Sequence, residues 1–376
     1  MPWFGFENHH ASCFLDSVLV ALFGARHHDV IEDLLLHPTL DNTGADTDFD
    51  APLAWRQNVQ RALAEEVDLL NQSRSSGHAC TTFRQLLAAV PRRTISSATG
   101  ETVVINFAAA QQQSAVDFLH YLFDALCARN KLANVQYSTT FMLRRAELED
   151  ASLQDLASRW KASPIVKRFT SANAAALEDK SERAALLQDK SGKACIVENS
   201  AGDRRRITAP ESVTLFSCHL TANDKGVPEV SIIRELEPHV EHMSSIEGYT
   251  GPLYAKMLAC HVLSAPLLII EVSRKVHVSR KLDTRVAYGD IDMGHVVLQL
   301  HGQRYALNAV VCHVGNATGG HYVAFVCNDD DEWYFYDDAH RGGELLRLPN
   351  GVHNLEQMGA ACPALSGELF FYSPLS

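Results

Sequence analysis

The sequence predicts an α+β fold with helices first and strands later. Three observations predict it. Apolar residues recur at helical spacing through the first third of the chain, short β-branched and aromatic runs dominate from about Leu267, and strands and helices do not alternate as a doubly wound sheet requires. With 376 residues the chain suffices for one large domain or two ordinary ones. A composition of 46% hydrophobic and 21% charged residues is that of a globular chain and excludes a disordered one.

The elements follow in order. The segment CFLDSVLVALF carries Leu15, Val18, Leu19, Leu22 and Phe23 on one helical stripe, and Gly24 is a suitable stop. Cys13 then lies in the first turn, where unpaired N–H groups and the helix dipole favour an anion such as a thiolate. A buried structural cysteine fits the same segment. Further helices are predicted in APLAWRQNVQRALAEEVDLLNQ, TFRQLLAAV and QQSAVDFLHYLFDALCARN, the last with Val116, Leu119, Tyr121, Leu122 and Leu126 inward. From about Asn134 the texture changes. VQYSTTFMLRR reads as a strand and SLQDLASRWKAS as a helix, and KACIVENSAGDRRRIT reads as strands around a Ser-Ala-Gly-Asp turn that leaves Arg204, Arg205 and Arg206 on an exposed hairpin. Residues 170–205 are the loosest stretch and are expected to form a mobile insertion. LLIIEVSR, HVVLQLHGQRYALNAVVCHVG, HYVAFVCN, EWYFYDD and GELFFYSP read as strands.

Charge and cysteine usage narrow the function classes. A net charge of −12 argues against nucleic-acid binding and leaves room for a basic partner. The nine cysteines are scattered, odd in number and without a C-x-x-C pair, which speaks against a zinc ribbon and against a secreted disulfide framework. No basic segment followed by an apolar run opens the chain, and APLLIIEV is too short to span a membrane. A reducing compartment, cytoplasmic or nuclear, is expected. Adjacent histidines at His9–His10 and His27–His28 are poorly placed to chelate one ion, and no metal or cofactor is expected.

GGHYVAFVCNDDDEWYFYDD is the most informative stretch. It reads as a β-hairpin with an acidic turn around Asn328–Asp331. Alternation puts His321, Val323 and Phe325 on one face of the first arm and Trp333, Phe335 and Asp337 on one face of the second. A turn centred near Asp329 pairs Phe325 with Trp333 and sets His321 opposite Asp337, with Asp338 on the other face. Trp333 and Phe335 are expected as core beneath them. A cysteine, a histidine to take its proton and an acid to orient the histidine are the parts of a thiol protease.

Taken together, these segments resemble the ubiquitin-specific proteases, papain-like thiol isopeptidases. GFENHHASCFLDSVLVALF is similar to the family's cysteine box, QQSAVDFLHYLFDAL to its glutamine–acid helix, and YALNAVVCHVGNATGGHYVAFV with EWYFYDD to its histidine box. The resemblance implies a papain-like α+β fold with a helical, thumb-like lobe (1–134), a divergent, reduced or metal-free fingers region (135–245) and a β-rich, palm-like lobe (246–376), all one catalytic domain. It implies hydrolysis of the bond after ubiquitin's C-terminal Gly-Gly, with ubiquitin or polyubiquitin conjugates as partners and neither nucleic acid nor membrane. SUMO or another ubiquitin-like modifier as substrate, and an inactive ubiquitin-binding scaffold, are the alternatives. Cys13 falls at the nucleophile, His321 at the general base, Asp337 at the orienting acid and Asn8, five residues before Cys13, at the oxyanion amide. Gln113, Asp117, Gly319, Gly320 and Tyr322 fall at substrate-binding positions. His10 stands where glycine is usual, Asp16 where asparagine is common, and Ser114 where an acid is common. CFLDS with HYVAFV is closest to the cylindromatosis-type branch.

Overall fold

A computed structural model of the chain describes residues 3–8, 11–38, 40, 51–72, 78–95, 102–108, 113–128, 132, 265–277, 297–300, 303–316, 319–349 and 361–375, together with strand segments between 134 and 291. SLQDLASRWKAS, His9, His10 and most of 170–205 lie outside the described residues. The chain divides into two compact units, one of Met1–Ala133, Thr214–Ser231 and Ala265–Ser376, the other of Asn134–Val213 and Ile232–Ser264.

The first unit joins helices to a nine-stranded sheet. Its helices are α1 (Cys13–Phe23), α2 (His28–Leu35), α3 (Leu53–Gln72), α4 (Thr81–Ala88), α5 (Ala115–Ala125) and the short α6 (Pro363–Ser366). The strands of the large sheet are β1 (Trp3–Phe4), β2 (Leu215–His219), β3 (Leu268–Ser273), β4 (Val297–Leu300), β5 (Gln303–Asn316), β6 (Gly319–Cys327), β7 (Trp333–Tyr336), β8 (Glu344–Arg347) and β9 (Gly367–Pro374). Their order is β1-β8-β7-β6-β5-β9-β3-β2, with β4 on the early part of β5. Only β3 and β2 run parallel among these pairs. Tyr305–His313 of β5 and Tyr322–Cys327 of β6 are buried without interruption. That explains why these strands read as continuous apolar runs, since a strand covered on both faces does not alternate.

The helical stripe expected for α1 is too narrow, because every residue from Cys13 to Phe23 is buried. Helix α1 packs against β5 and β6 and against α2 and α5, so it is enclosed all round, as an evenly apolar helix must be. Gly24 ends it by returning its N–H to Val20 O at 2.8 Å. In α5 the inward set is Ala115, Phe118, Leu119, Tyr121 and Leu122, whereas Val116 is only half-buried. Phe14, Phe107, Phe118 and Tyr121 form one aromatic cluster with centroid separations of 4.8–6.1 Å. The buried Arg56 of α3 donates to the Asp124 and Ala125 carbonyls at the far end of α5, where orphan carbonyls need a cation. Helix α2 and a hairpin of Arg92–Ile95 with Thr102–Ile105 are elements that the helical reading of this region did not include.

In the second unit Asn134–Arg144 pairs antiparallel with Tyr254–Ser264, flanked by His239–His242 and Glu211–Val213. Ala185–Gln188, Ala194–Glu198 and Arg204–Thr208 form a separate three-stranded antiparallel sheet, and the expected Ser-Ala-Gly-Asp turn lies outside the described residues.

Candidate active site

The site is assembled at the N-terminus of α1, the start of β6 and the turn after β7. Cys13 is the first residue of α1, and its side chain is almost fully buried. Ser12 N-caps the helix through its backbone, its carbonyl accepting Leu15 N–H at 2.8 Å and Asp16 N–H at 3.0 Å. Ala11 before it has φ 59°, a left-handed conformation that costs an alanine about 1–2 kcal/mol. Nothing in the sequence marks that turn.

His321 is half-buried and gives an Nε2–Asp337 Oδ1 contact of 2.8 Å. Nε2 is thereby taken, which leaves Nδ1 as the ring nitrogen for the Cys13 thiol, the second influence on the imidazole. The His321 pKa is pushed up to about 10, first by the Asp337 hydrogen bond, then by Cys13, against burial. Burial would raise the Asp337 pKa, but His321, the Ala339 N–H at 2.9 Å and the neighbouring His340 together bring it below the ordinary value. Gly320 lets the strand enter at this angle. A Cβ there would stand 2.5 Å from His313 Nε2 and 2.7 Å from Val314 O.

The hairpin register differs from the expected one. Cys327 pairs with Trp333 and Phe325 with Phe335, so the turn is centred on Asp330 rather than Asp329. The reason is a five-residue loop, Asn328–Glu332. Asn328 Oδ1 accepts the N–H groups of Asp330 at 3.1 Å and Glu332 at 2.9 Å, and Asp331 takes φ 60°. A slip of two residues keeps faces unchanged, so Asp337 still reaches His321, now from a diagonal position. Trp333 is buried as expected of core beneath the site, whereas Phe335, tilted against Phe325 at 5.2 Å, is only half-buried.

Asp338 does not sit on the far face as expected. Strand β7 ends at Tyr336, so alternation no longer governs it, and Asp338 Oδ1 lies 3.5 Å from His321 Nε2. Its other oxygen accepts Asn8 Nδ2 at 2.7 Å, and its carbonyl accepts Asn8 N–H at 3.2 Å. Asn8 is exposed but fixed. Gly5 N–H bonds Gly343 O at 2.8 Å, Tyr336 Oη donates to Phe6 O at 2.8 Å, and Glu7 N–H bonds His78 O at 2.9 Å. Gly343, at φ 78°, permits this approach, since a Cβ would fall 2.3 Å from Phe6 O. The Asp338 pKa rises to about 6, chiefly by burial, against the pull of His321 and Asn8.

Of the substrate-binding candidates, Gly319 and Gly320 open β6, and Gln113 is half-buried just ahead of α5. Asp117 is half-buried in the first turn of α5, where its carbonyl, not its carboxylate, accepts Arg92 Nη1 at 3.2 Å. Ser114 is the N-cap of α5, its Oγ accepting Asp117 N–H at 3.3 Å. The Ser-x-x-Asp spacing was the available signal for that role. Tyr322 is 3% exposed, with its hydroxyl donated to Glu368 Oε2 at 3.3 Å and its ring 4.6 Å from His313, so it supports the site from within. Sequence reasoning gave no place to Glu368 or to a buried Asp16. Among the described residues one group of side chains is close enough to hold a metal ion, His321, Asp337 and Asp338, and in it Asp337 Oδ1 is engaged by His321 and Asp338 Oδ2 by Asn8. His27 is a structural residue. Its Nε2 pairs with Ala21 O at 3.0 Å, and burial lowers its pKa to about 3.

The profile of the family described as ubiquitin carboxyl-terminal hydrolase matches residues 4–342, most of the chain, including Asn8, Cys13, His321, Asp337 and Asp338. The chain belongs to the ubiquitin carboxyl-terminal hydrolase family. Among curated members of that family, ubiquitin carboxyl-terminal hydrolase 15 of Homo sapiens is 38% identical over 82 residues, 20% of this chain and 8% of its own. Ubiquitin carboxyl-terminal hydrolase 10 of Arabidopsis thaliana is 30% identical over 141 residues, 35% of this chain and 14% of its own. The matches thus span small parts of these relatives. A solved structure of the SAGA Ubp8/Sgf11/Sus1/Sgf73 DUB module bound to monoubiquitin is similar at TM-score 0.58 and 12% identity, covering 100% of this chain and 71% of the other. The same module bound to ubiquitin aldehyde aligns at 0.55 and 13%, covering 99% and 70%. At these identities the likeness is one of fold, and the fold is that of the ubiquitin carboxyl-terminal hydrolases.

Proposed function

We propose that this chain is a thiol isopeptidase that hydrolyses the bond after the C-terminal Gly-Gly of ubiquitin. The observation that carries the reading is the contact of 2.8 Å between His321 Nε2 and Asp337 Oδ1, on an imidazole that the Cys13 thiol also influences. Cys13 Sγ attacks the glycine carbonyl carbon. Its proton passes to His321 Nδ1 and from there to the leaving amine as the C–N bond breaks. Water, deprotonated by His321, then cleaves the thioester and regenerates the thiol. Asp337 holds the ring in register and stabilises the imidazolium. Asn8 spends one Nδ2 proton on Asp338, which fixes the amide and leaves the second for the developing oxyanion. Asp117 serves as an acid for the arginine-bearing ubiquitin tail, with Gln113, Gly319 and Gly320 at its path.

The family match running over 4–342 supports a single catalytic domain in which 135–245 stands for the family's fingers. The six described cysteines are free thiols, which favours a reducing, intracellular setting. A cylindromatosis-type placement within the family rests on CFLDS and HYVAFV alone, and no relative named above speaks for it.

Ubiquitin and SUMO tipped with a C-terminal electrophile decide the matter. The ubiquitin probe becomes attached to Cys13 and to no other cysteine, read by peptide mapping. Labelling at another cysteine, or by the SUMO probe alone, overturns the assignment, and no labelling by either returns the inactive-scaffold alternative.

A further inference from the structure

Beneath the site lies a second carboxyl group that the reaction does not use. Asp16 is fully buried in the first turn of α1, and the Asp338 side chain is fully buried beside it. No N–H donates to either Asp16 oxygen or to Asp338 Oδ1. The fourth oxygen of the pair, Asp338 Oδ2, is occupied by Asn8 Nδ2 at 2.7 Å. Two ionised carboxylates side by side and buried, with no N–H reaching three of their four oxygens, are a costly arrangement. One proton shared between them resolves it, because a carboxylic acid donates to a carboxylate.

We propose, on the basis of the thiol-isopeptidase reading above, that Asp16 is a positioning residue: a neutral carboxylic acid whose O–H holds Asp338, and through Asp338 the Asn8 amide. The charged and titratable groups around it favour this placement of the proton. Asp338 has the Asn8 amide and the His321 imidazolium to stabilise its negative charge. Asp16 has burial and the Asp338 charge against ionisation, opposed by the Ser12 hydroxyl and the Arg84 guanidinium of α4. Its remaining titratable neighbours, the Cys80 thiol and the Tyr336 phenol, are both raised chiefly by burial and stay neutral, and Glu66, paired with His78 at 3.0 Å, adds negative charge near Cys80. Burial outweighs the rest, so the Asp16 pKa lies well above the carboxylate range. A protonated aspartate retained as a hydrogen-bond donor is established chemistry in apolar sites.

Two readouts test this. The first is thermal stability against pH for the parent and Asp16→Asn, which donates without titrating. Folded Asp16 keeps a proton that the unfolded chain releases above about pH 4, so its contribution to stability falls as pH rises toward the folded pKa. The melting temperature of Asp16→Asn relative to the parent therefore climbs from about pH 5 to about pH 8. A flat or falling difference means an ionised Asp16 and overturns the proposal. The second is turnover of ubiquitin conjugates. Asp16→Leu, without a donor, loses up to about 100-fold in kcat with KM held, as for a displaced reacting group, and Asp16→Asn recovers most of it. Equal losses in the two variants overturn the positioning role. If Asp16→Leu does not fold, Asp16→Asn near the parent kcat supports the role, and a tenfold or greater loss in it overturns it. If the parent itself does not process ubiquitin, the functional reading fails, while the stability trend still decides the proton on Asp16.

Discussion

The imidazole of His321 is held by the Asp337 carboxylate on Nε2, and the Cys13 thiol adds to the upward shift of its pKa. A pKa near 10 favours the protonated imidazole, the state in which His321 holds the proton taken from Cys13. The sign follows from the direction of the shift. Stability gained from protonated His321 is fully present below its unfolded value near 6.5 and is lost as pH rises through about 10. Asp337→Ala removes the largest cause, so the alkaline limb of kcat/KM moves down by at least about one unit, and kcat falls about 10³- to 10⁴-fold as the base loses its orienter. Asp338→Ala acts differently, by releasing the Asn8 amide, and costs about 10²- to 10³-fold in kcat with the alkaline limb less displaced. Steady-state kinetics over pH on both variants separates them. Equal displacement of the limb would make Asp338, at 3.5 Å from the ring, a partner in orienting it.

At the scale of elements, two helices aim the site and each depends on its ends. Helix α1 contributes Cys13 from its first residue, and its complete burial makes that placement rigid. Helix α5 presents Asp117 from its first turn, and Ser114 holds that turn through the bond to Asp117 N–H. Ser114→Ala costs about 1 kcal/mol of stability, whereas Ser114→Gly costs only a few tenths, because glycine tolerates the cap conformation. Chemical denaturation of the two variants checks this order. A loss in Ser114→Ala with kcat unchanged and KM raised assigns the cap to the tail-binding end of the site. Among strands, the Asn328–Glu332 loop sets the register of β6 and β7, and so which carboxylate faces His321.

Over the whole molecule, a net charge of −12 leaves room for a basic partner, and on the proposed reading the substrate's tail carries arginines. On the proposed reading Asp117 is the acid that meets them, and a carboxylate paired with arginine away from water forms a stronger, charge-assisted pair than an exposed one. Asp117→Ala lowers kcat/KM mainly through KM, and a ubiquitin with alanine for the matching arginine is cut poorly by the parent with little further loss in the variant. The four-way cycle of kcat/KM measures that coupling, and additive losses at each tail arginine return Asp117 to a surface charge. Activity is indifferent to chelators, since the nine cysteines include no C-x-x-C pair to hold zinc; loss on chelation restored by zinc would contradict this. The sequence by itself determined the α+β order, the helix opened by Cys13, the hairpin that carries His321 and Asp337 on one face, and the family. These are local matters of period and turn chemistry, legible wherever a few neighbouring residues decide. Tertiary structure alone fixed the enclosure of α1, the grip of Asp338 on Asn8 across 330 residues of chain, and the burial of Asp16 and Tyr322. Each depends on what packs against a residue from a distant segment, and burial and long-range hydrogen bonds leave no period in the sequence.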